Sequence, residues 1–318
     1  MELVEGMLKG NRKALSRLIS IMEEESARVP EIMKAIHPHT GKAFSIGITG
    51  PPGAGKSTVV DRLTAAVRCR GLSVGVLAVD PTSPFSGGAV LGDRIRMQQH
   101  YLDPDVFIRS VASRGSRGGL PHTARNIIKV LDASGKDIIL VETVGVGQTE
   151  LDIIEAVDTV VVTLVPEGGD TVQTMKAGLM EIADLFVVNK ADRPGSDKVM
   201  VEVESMLHLS SSQDEWSPPV LAVEALNDVG IDELYRAIIT HQEFLKSSGK
   251  LTQRRKEQRR EEFLRAVEQR LRKRLSRLMK GSDRLMSLWD EVEAGRIDSY
   301  SALEIMEQEA VSRGWLPE

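Results

Sequence analysis

The octapeptide Gly50-Pro51-Pro52-Gly53-Ala54-Gly55-Lys56-Ser57 has the residue types and spacing needed to hold a polyphosphate. Its glycines let backbone N–H groups turn inward around an anion. The helical stretch that opens beyond it, Thr58–Arg70, adds the positive end of its dipole. Lys56 would reach the β- and γ-phosphates, and the Ser57 hydroxyl would ligate Mg²⁺. No lysine occupies positions 51 to 54, so the variant loop with an additional signature lysine is absent.

Farther along, Asn189-Lys190-Ala191-Asp192 closes the apolar run Leu185-Phe186-Val187-Val188. A carboxylate at Asp192 can accept from both N1–H and the 2-amino group of guanine. Adenine offers neither donor and would leave that carboxylate unpaired. Asn189 would touch the N7 edge of the base and the backbone of the phosphate loop, while the stem of Lys190 would lie over the ring. The two motifs together predict GTP and GDP as ligands.

Three acids stand where a γ-phosphate and its Mg²⁺ could be sensed. Glu142 ends the run Asp137–Glu142, and Gly145, three residues on, can offer its N–H to the γ-phosphate. The side chain of Glu142 suits a Mg²⁺ contact through water. Val146 follows the glycine where Ras-like proteins carry a water-orienting glutamine, and Gln148 lies two places further, which predicts slow intrinsic hydrolysis that a partner accelerates. Asp80 and Asp93 flank a Gly-, Pro- and Ser-rich stretch of the kind a magnesium-sensing switch needs. Ser113-Arg114-Gly115-Ser116-Arg117-Gly118-Gly119 reads equally well as a flexible connector or as a basic contact loop.

These residues need strand ends to position them. Candidate strands are Phe44–Thr49, Ser73–Val79, Val106–Ser110, Asp137–Glu142, Thr159–Val165, Asp184–Asn189 and Val220–Val223. Several are nearly continuous apolar runs, as expected for strands covered on both faces, and helical stretches alternate with them. The expected fold class is therefore α/β, a mostly parallel doubly wound sheet with ligands at the carboxyl ends of its strands. Residues 1–42 read as an N-terminal helical arm, 43–248 as the nucleotide-binding domain and 249–318 as a C-terminal helical arm. In the last of these, Lys250 to Lys280 holds thirteen Lys/Arg against four Glu, with Phe263, Leu264, Val267, Leu271, Leu275 and Leu278 at helical spacing. Two further amphipathic helices should reach Trp315. The charges read as a solvated face; the apolar stripe has to be buried, against its own domain or, as favoured here, a second copy. His37 and His39 read as surface residues of a turn.

Composition narrows the partners. A net charge of −5 and a pI near 5.8 argue against nucleic acid. One cysteine, Cys69, allows neither a disulfide framework nor a thiolate cluster within a chain. The acidic start Met1-Glu2-Leu3-Val4-Glu5 is unlike a secretory signal, and the longest apolar run, Thr159–Val165, falls short of the about 20 residues that span a bilayer. A cytoplasmic protein without a membrane partner is expected, or an organellar one in mature form.

The combined set resembles one family, the MeaB/ArgK GTPases, relatives of the human methylmalonic aciduria type A protein. The resemblance rests on residues 50–57, the Asp80-Pro81 to Met97 stretch with its Leu-Gly-Asp, Arg114-Gly115 to Leu120, Glu142-Thr143-Val144-Gly145-Val146-Gly147-Gln148, and Asn189–Asp192. It implies a SIMIBI-class P-loop GTPase that forms a homodimer through its C-terminal arm. It also implies a chaperone for an adenosylcobalamin-dependent acyl-CoA mutase, chiefly methylmalonyl-CoA mutase. In such a chaperone GTP gates cofactor loading and protects the mutase, which in turn stimulates hydrolysis. By position, Ser57, Asp80, Asp93 and Glu142 then look like the magnesium and switch residues, and Pro166 to Gly178, with Asp170, Gln173 and Lys176, like an additional switch. Two departures stand out: Glu224 replaces the serine of the base-backing element Glu224-Ala225-Leu226, and Thr171 stands where the family more often has an acid. Guanine contact through the Ala225 backbone would survive the first. A nickel-delivery GTPase shares the scaffold but carries Cys/His motifs absent from a chain with one cysteine and six scattered histidines. A transport-system kinase, an older label of ArgK relatives, would need ATP, which Asp192 disfavours. A non-catalytic GTP-dependent scaffold is the remaining reading.

Overall fold

Seven short runs of β-branched and aliphatic residues form seven parallel strands in the computed structural model, which describes residues 1–80, 97–113, 120–121, 123–144, 150–166, 180–210 and 216–312. They are β1 Phe44–Thr49, β2 Val74–Asp80, β3 Val106–Ala112, β4 Ile138–Glu142, β5 Thr159–Leu164, β6 Leu185–Asn189 and β7 Val220–Val223. The order across the sheet is β3-β2-β4-β1-β5-β6-β7, with every neighbouring pair parallel. β1 is central, and the loop that leaves its carboxyl end lies over the middle of the sheet. Asp93, Gly145, Val146, Gln148, residues 114–119 and 167–178 fall outside the described residues.

Both faces are covered, which is why β1, β2, β4, β5 and β6 are buried along their whole length. On one face Phe44, Ile46, Ile48, Val76, Leu140 and Val187 pack with helices Lys56–Arg68 and Ile231–Ser247. On the other, Leu77, Val79, Ile139, Val141, Val162 and Phe186 meet helices Arg12–Glu23, Val29–Ile36, Ala124–Ala133 and Ser196–Ser210.

The amino-terminal segment is three helices. Gly10 takes a left-handed φ of 84° between Glu2–Leu8 and Arg12–Glu23, and the Asn11 side chain caps the second by accepting from Lys13 and Ala14 N–H. Pro30 stands in the first turn of the third helix, where its missing N–H costs no helical hydrogen bond. Leu15, Leu18, Ile19 and Met22 bury against the sheet, and Arg12 donates to the carbonyls of Asp103 and Val106. His37–His39 form an exposed 3₁₀ turn.

The chain divides into two compact units, Met1–Arg255 and Lys256–Glu318. Residues 250–255, the start of helix Lys250–Lys280, belong to the first. There Arg255 forms a two-point ion pair with Asp158, the residue before β5, and Arg254 does the same with Asp184, the residue before β6. Asp158 also accepts from the backbone and hydroxyl of Ser45 in β1, at 2.9 Å each. In the second unit, helices Asp283–Glu293 and Ser299–Ser312 are linked by Arg284 and Glu309 at 3.1 Å. Phe263, Leu271, Trp289 and Tyr300 are exposed there. No helix among the described residues is long and apolar enough to cross a membrane.

Candidate nucleotide site

The loop after β1 is shaped by two close approaches. Gly50 has φ 139°, and a Cβ on it would lie 2.1 Å from the Thr163 carbonyl oxygen in β5. Gly55 has φ 83°, and its Cβ would meet the Asn189 amide nitrogen at 2.3 Å. Only glycine fits either place. Gly55 is also the N-cap of helix Lys56–Arg68 and brings no side chain to the first-turn amides, which leaves that end suited to an anion. Lys56 is buried, and its Nζ folds back to donate to the carbonyls of Gly50 (2.8 Å) and Pro51 (3.1 Å). Pro52 and Gly53 are exposed, Ala54 is fully buried, and Thr58 continues the helix half-buried.

Beside the loop, strand alternation aims two acids at the same face. Ile138 and Leu140 of β4 lie under helix Lys56–Arg68, so Glu142 points there too; Val74 and Val76 do the same for Asp80 in β2. The strands pair Ala78 with Glu142, which sets Asp80 two residues beyond that level on the neighbouring strand. Ser57 Oγ donates to Glu142 Oε1 at 2.6 Å, and Ser57, Asp80 and Glu142 are all at most 5% exposed. Below them, Thr143 Oγ1 donates to Thr49 Oγ1 at 3.0 Å, joining the ends of β4 and β1. Hard oxygen donors gathered beside a phosphate loop fit Mg²⁺, which takes one or two protein oxygens and fills its octahedron with phosphates and water. Among the described residues no cluster of three or more His, Cys, Asp or Glu forms an all-protein metal cage.

On the other side of the loop, Asn189 closes β6 and reaches two ways. Its Nδ2 donates to the Ala54 carbonyl at 2.8 Å, and its Oδ1 accepts from Ala225 N–H at 3.1 Å. Lys190 then turns through a left-handed φ of 59°, Ala191 N–H donates to Val223 O at 3.1 Å, and Asp192 emerges exposed. Glu224 is held within its own turn: it accepts from Asn227 Nδ2 at 3.0 Å, and its N–H bonds Val229 O. The Ala225 backbone, the part of this element expected to contact guanine, donates its N–H to Asn189. Leu226 is 74% exposed, and its carbonyl accepts from Arg62 of the phosphate-loop helix at 3.5 Å.

Thus Gly50, Pro51, Gly55, Lys56, Ser57, Asp80, Glu142, Asn189 and Ala225 lie at the carboxyl ends of β1, β2, β4, β6 and β7. The Thr49–Thr143 pair, the Thr163 carbonyl and the Asp61–His100 contact described below were not singled out from sequence. Polar residues ending otherwise apolar strands were the available signal for the two threonines.

A parallel sheet with a glycine-shaped phosphate loop at its central strand and Asn189–Asp192 beside that loop defines a P-loop GTPase. The family model described as "Methylmalonyl Co-A mutase-associated GTPase MeaB" matches residues 15–280. A putative GTPase of Pyrococcus abyssi is 49% identical over 316 residues, covering 98% of this chain and 97% of that protein. The mitochondrial methylmalonic aciduria type A homolog of Mus musculus is 35% identical over 274 residues, 80% of this chain and 66% of its own length. A crystal structure of an LAO/AO transport system kinase superposes with a TM-score of 0.72 at 31% identity, covering 96% of both chains. The chain belongs to the MeaB family of GTPases.

Proposed function

We propose that this GTPase is a chaperone for an adenosylcobalamin-dependent acyl-CoA mutase, methylmalonyl-CoA mutase or a close relative, and that GTP gates cofactor loading and protects the mutase. The observation that carries this reading is the match of the MeaB family model across the nucleotide-binding core and into the basic helix. The relation to the mouse methylmalonic aciduria type A homolog supports it.

Within that reading the phosphate loop, Gly50 to Thr58, holds the triphosphate, with Lys56 moving from its own loop carbonyls to the phosphate oxygens. Mg²⁺ supplies charge neutralisation at the β- and γ-phosphates when bound. Ser57 would hold it directly, and Glu142, Asp80 and Asp93 would orient its water, while Gly145 donates to the γ-phosphate. Asn189, Lys190 and Asp192 select guanine, and Glu224 to Leu226 back the base. With Val146 in the usual glutamine's place, the chain alone hydrolyses GTP slowly and the mutase completes the site.

The protein acts in the cytoplasm as a homodimer. The exposed Phe263, Leu264, Val267, Leu271 and Leu275 of the basic helix support a second copy as the cover for that stripe. Residues 283–309 carry eight acids against two arginines, which offers that helix a complementary surface.

Purified protein with its cognate mutase tests the reading. GTP hydrolysis should rise when the mutase is added, and adenosylcobalamin transfer should require GTP. Brisk hydrolysis by the chain alone, with no response to the mutase, would overturn the chaperone assignment. Loss of triphosphate binding in Lys56→Ala tests the loop separately.

A further inference from the structure

The helix that begins at the phosphate loop is moored by a second polar contact that the reading above does not use. Asp61 lies four residues after Ser57, hence on the same face of helix Lys56–Arg68. It is 7% exposed, a carboxylate drawn largely out of water. Two consecutive side chains of the 3₁₀ turn Gln98–His100 converge on it: Gln99 Nε2 donates to Oδ2 at 2.8 Å, and His100 Nε2 lies 3.2 Å from Oδ1. The same imidazole nitrogen is 3.1 Å from the Asp61 carbonyl oxygen, and the His100 ring is itself buried.

Adhesion does not require these contacts. Met97 is fully buried in the core formed with Val59, Val60 and Leu63 of the same helix, so apolar packing already holds the turn to the helix. A buried carboxylate that accepts from Gln99, with the His100 imidazole against both Oδ1 and the Asp61 backbone carbonyl, adds what methionine packing lacks, a single angular and axial register between the turn and the helix. That register bears on the chemistry by chain connectivity. Asp93 precedes Met97 by four residues, and Asp80, at the other end of the intervening chain, is built into β2. Ser57 and Asp61 share one rigid helix.

We propose that Asp61 is a positioning residue for GTP hydrolysis. It acts through Gln99 and His100 to fix, relative to Ser57, the turn that follows Asp93 in the sequence. The inference rests on the GTPase reading and on the assignment of Asp93 as a switch acid.

The test compares full-length wild type, Asp61→Ala, His100→Ala, His100→Gln and the double variant Asp61→Ala/His100→Ala. It measures kcat, the Mg²⁺ concentration for half-maximal rate, GDP affinity in EDTA, and melting temperature. Misplacing a reacting group can cost orders of magnitude in rate, so Asp61→Ala should lower kcat about tenfold or more and raise the Mg²⁺ requirement. Its GDP affinity without metal should stay within about twofold. His100→Gln, whose amide nitrogen can stand where the imidazole Nε2 stands, should keep the rate that His100→Ala loses. The double variant should lose clearly less than the product of the two single losses, since both residues serve one contact.

A wild-type kcat in Asp61→Ala would overturn the proposal, as would parallel losses of kcat, GDP affinity and melting temperature, which mark a stability role alone. If Asp61→Ala does not fold, equal rates in His100→Ala and His100→Gln overturn it. Failure of the wild type to hydrolyse GTP would sink the GTPase reading itself, an outcome distinct from a wild type that works and variants that match it.

Discussion

Asn189 and Gly55 occupy one another's space: the amide nitrogen of Asn189 lies where a Cβ of Gly55 would be, 2.3 Å from that ideal position, and donates to the neighbouring Ala54 carbonyl. The phosphate loop and the guanine motif are thereby one hydrogen-bonded piece, extended to Ala225 through the other end of the same amide. Asn189→Ala should leave the buried Ala54 carbonyl and Ala225 N–H without this partner. A cost of about 1–3 kcal/mol in folding stability is expected. Urea unfolding checks the stability, and calorimetry with GDP should show weakened binding. Gly55→Ala should be worse for nucleotide, because it adds left-handed strain to the displacement of Asn189.

Asp192 is exposed beyond the Lys190 turn, so its substitution should spare the fold and change only the base preference. Asp192→Asn exchanges an acceptor for a donor and should favour xanthosine over guanosine nucleotides by at least about tenfold. Competition between XTP and GTP measures it; unchanged GTP preference would remove Asp192 from the base site.

Much of this geometry is legible in the sequence for a physical reason. Strands buried on both faces read as continuous apolar runs, and all seven appear within one or two residues of their positions, with Phe44–Thr49 and Val220–Val223 unchanged. The phosphate loop and Asn189–Asp192 are local strings whose spacing carries the chemistry. Long-range polar pairs are not local. Arg254 and Arg255 sit in a run whose composition reads as a solvated face, and nothing nearby in sequence marks them as the counter-charges of Asp184 and Asp158. Asp61, too, is one polar residue on an amphipathic helix until His100 is placed beside it.

A histidine at the opposite edge of the sheet gives a pH prediction. His241 is buried under Trp216 and Phe244, with Nδ1 2.9 Å from Thr159 Oγ1 and Nε2 3.3 Å from Asp184 Oδ1. Burial pulls its pKa below 6.5; Asp184 opposes the shift and Arg254 adds to it. The folded state therefore keeps the ring neutral while the unfolded chain takes up a proton as pH falls. Its stabilising contribution is complete above the unfolded value and is lost below it. Between about pH 7.5 and about 5.5 the urea midpoint of wild type should fall more than that of His241→Gln.

The arginine pair predicts where the nucleotide-binding unit can be cut. Asp158 is 2% exposed and Asp184 7%, and without residues 254–255 both carboxylates lose their guanidinium partners. Arg255→Met should cost about 3 kcal/mol, because removing one partner leaves a buried charge behind. A chain ending at residue 248 should express poorly, whereas one retaining residues through 256 should stay soluble. Size-exclusion chromatography of the two distinguishes them.

The 2.6 Å hydrogen bond from Ser57 to Glu142 fixes more than a distance. A hydroxyl has one proton and two lone pairs. With the proton directed at Glu142, both lone pairs face away from the carboxylate, the orientation a cation ligand needs. A metal held by Ser57 would then call for no rotation of its side chain and no release of its proton. Reorganisation on loading would fall on water and the phosphates, with the Ser57 oxygen oriented in advance.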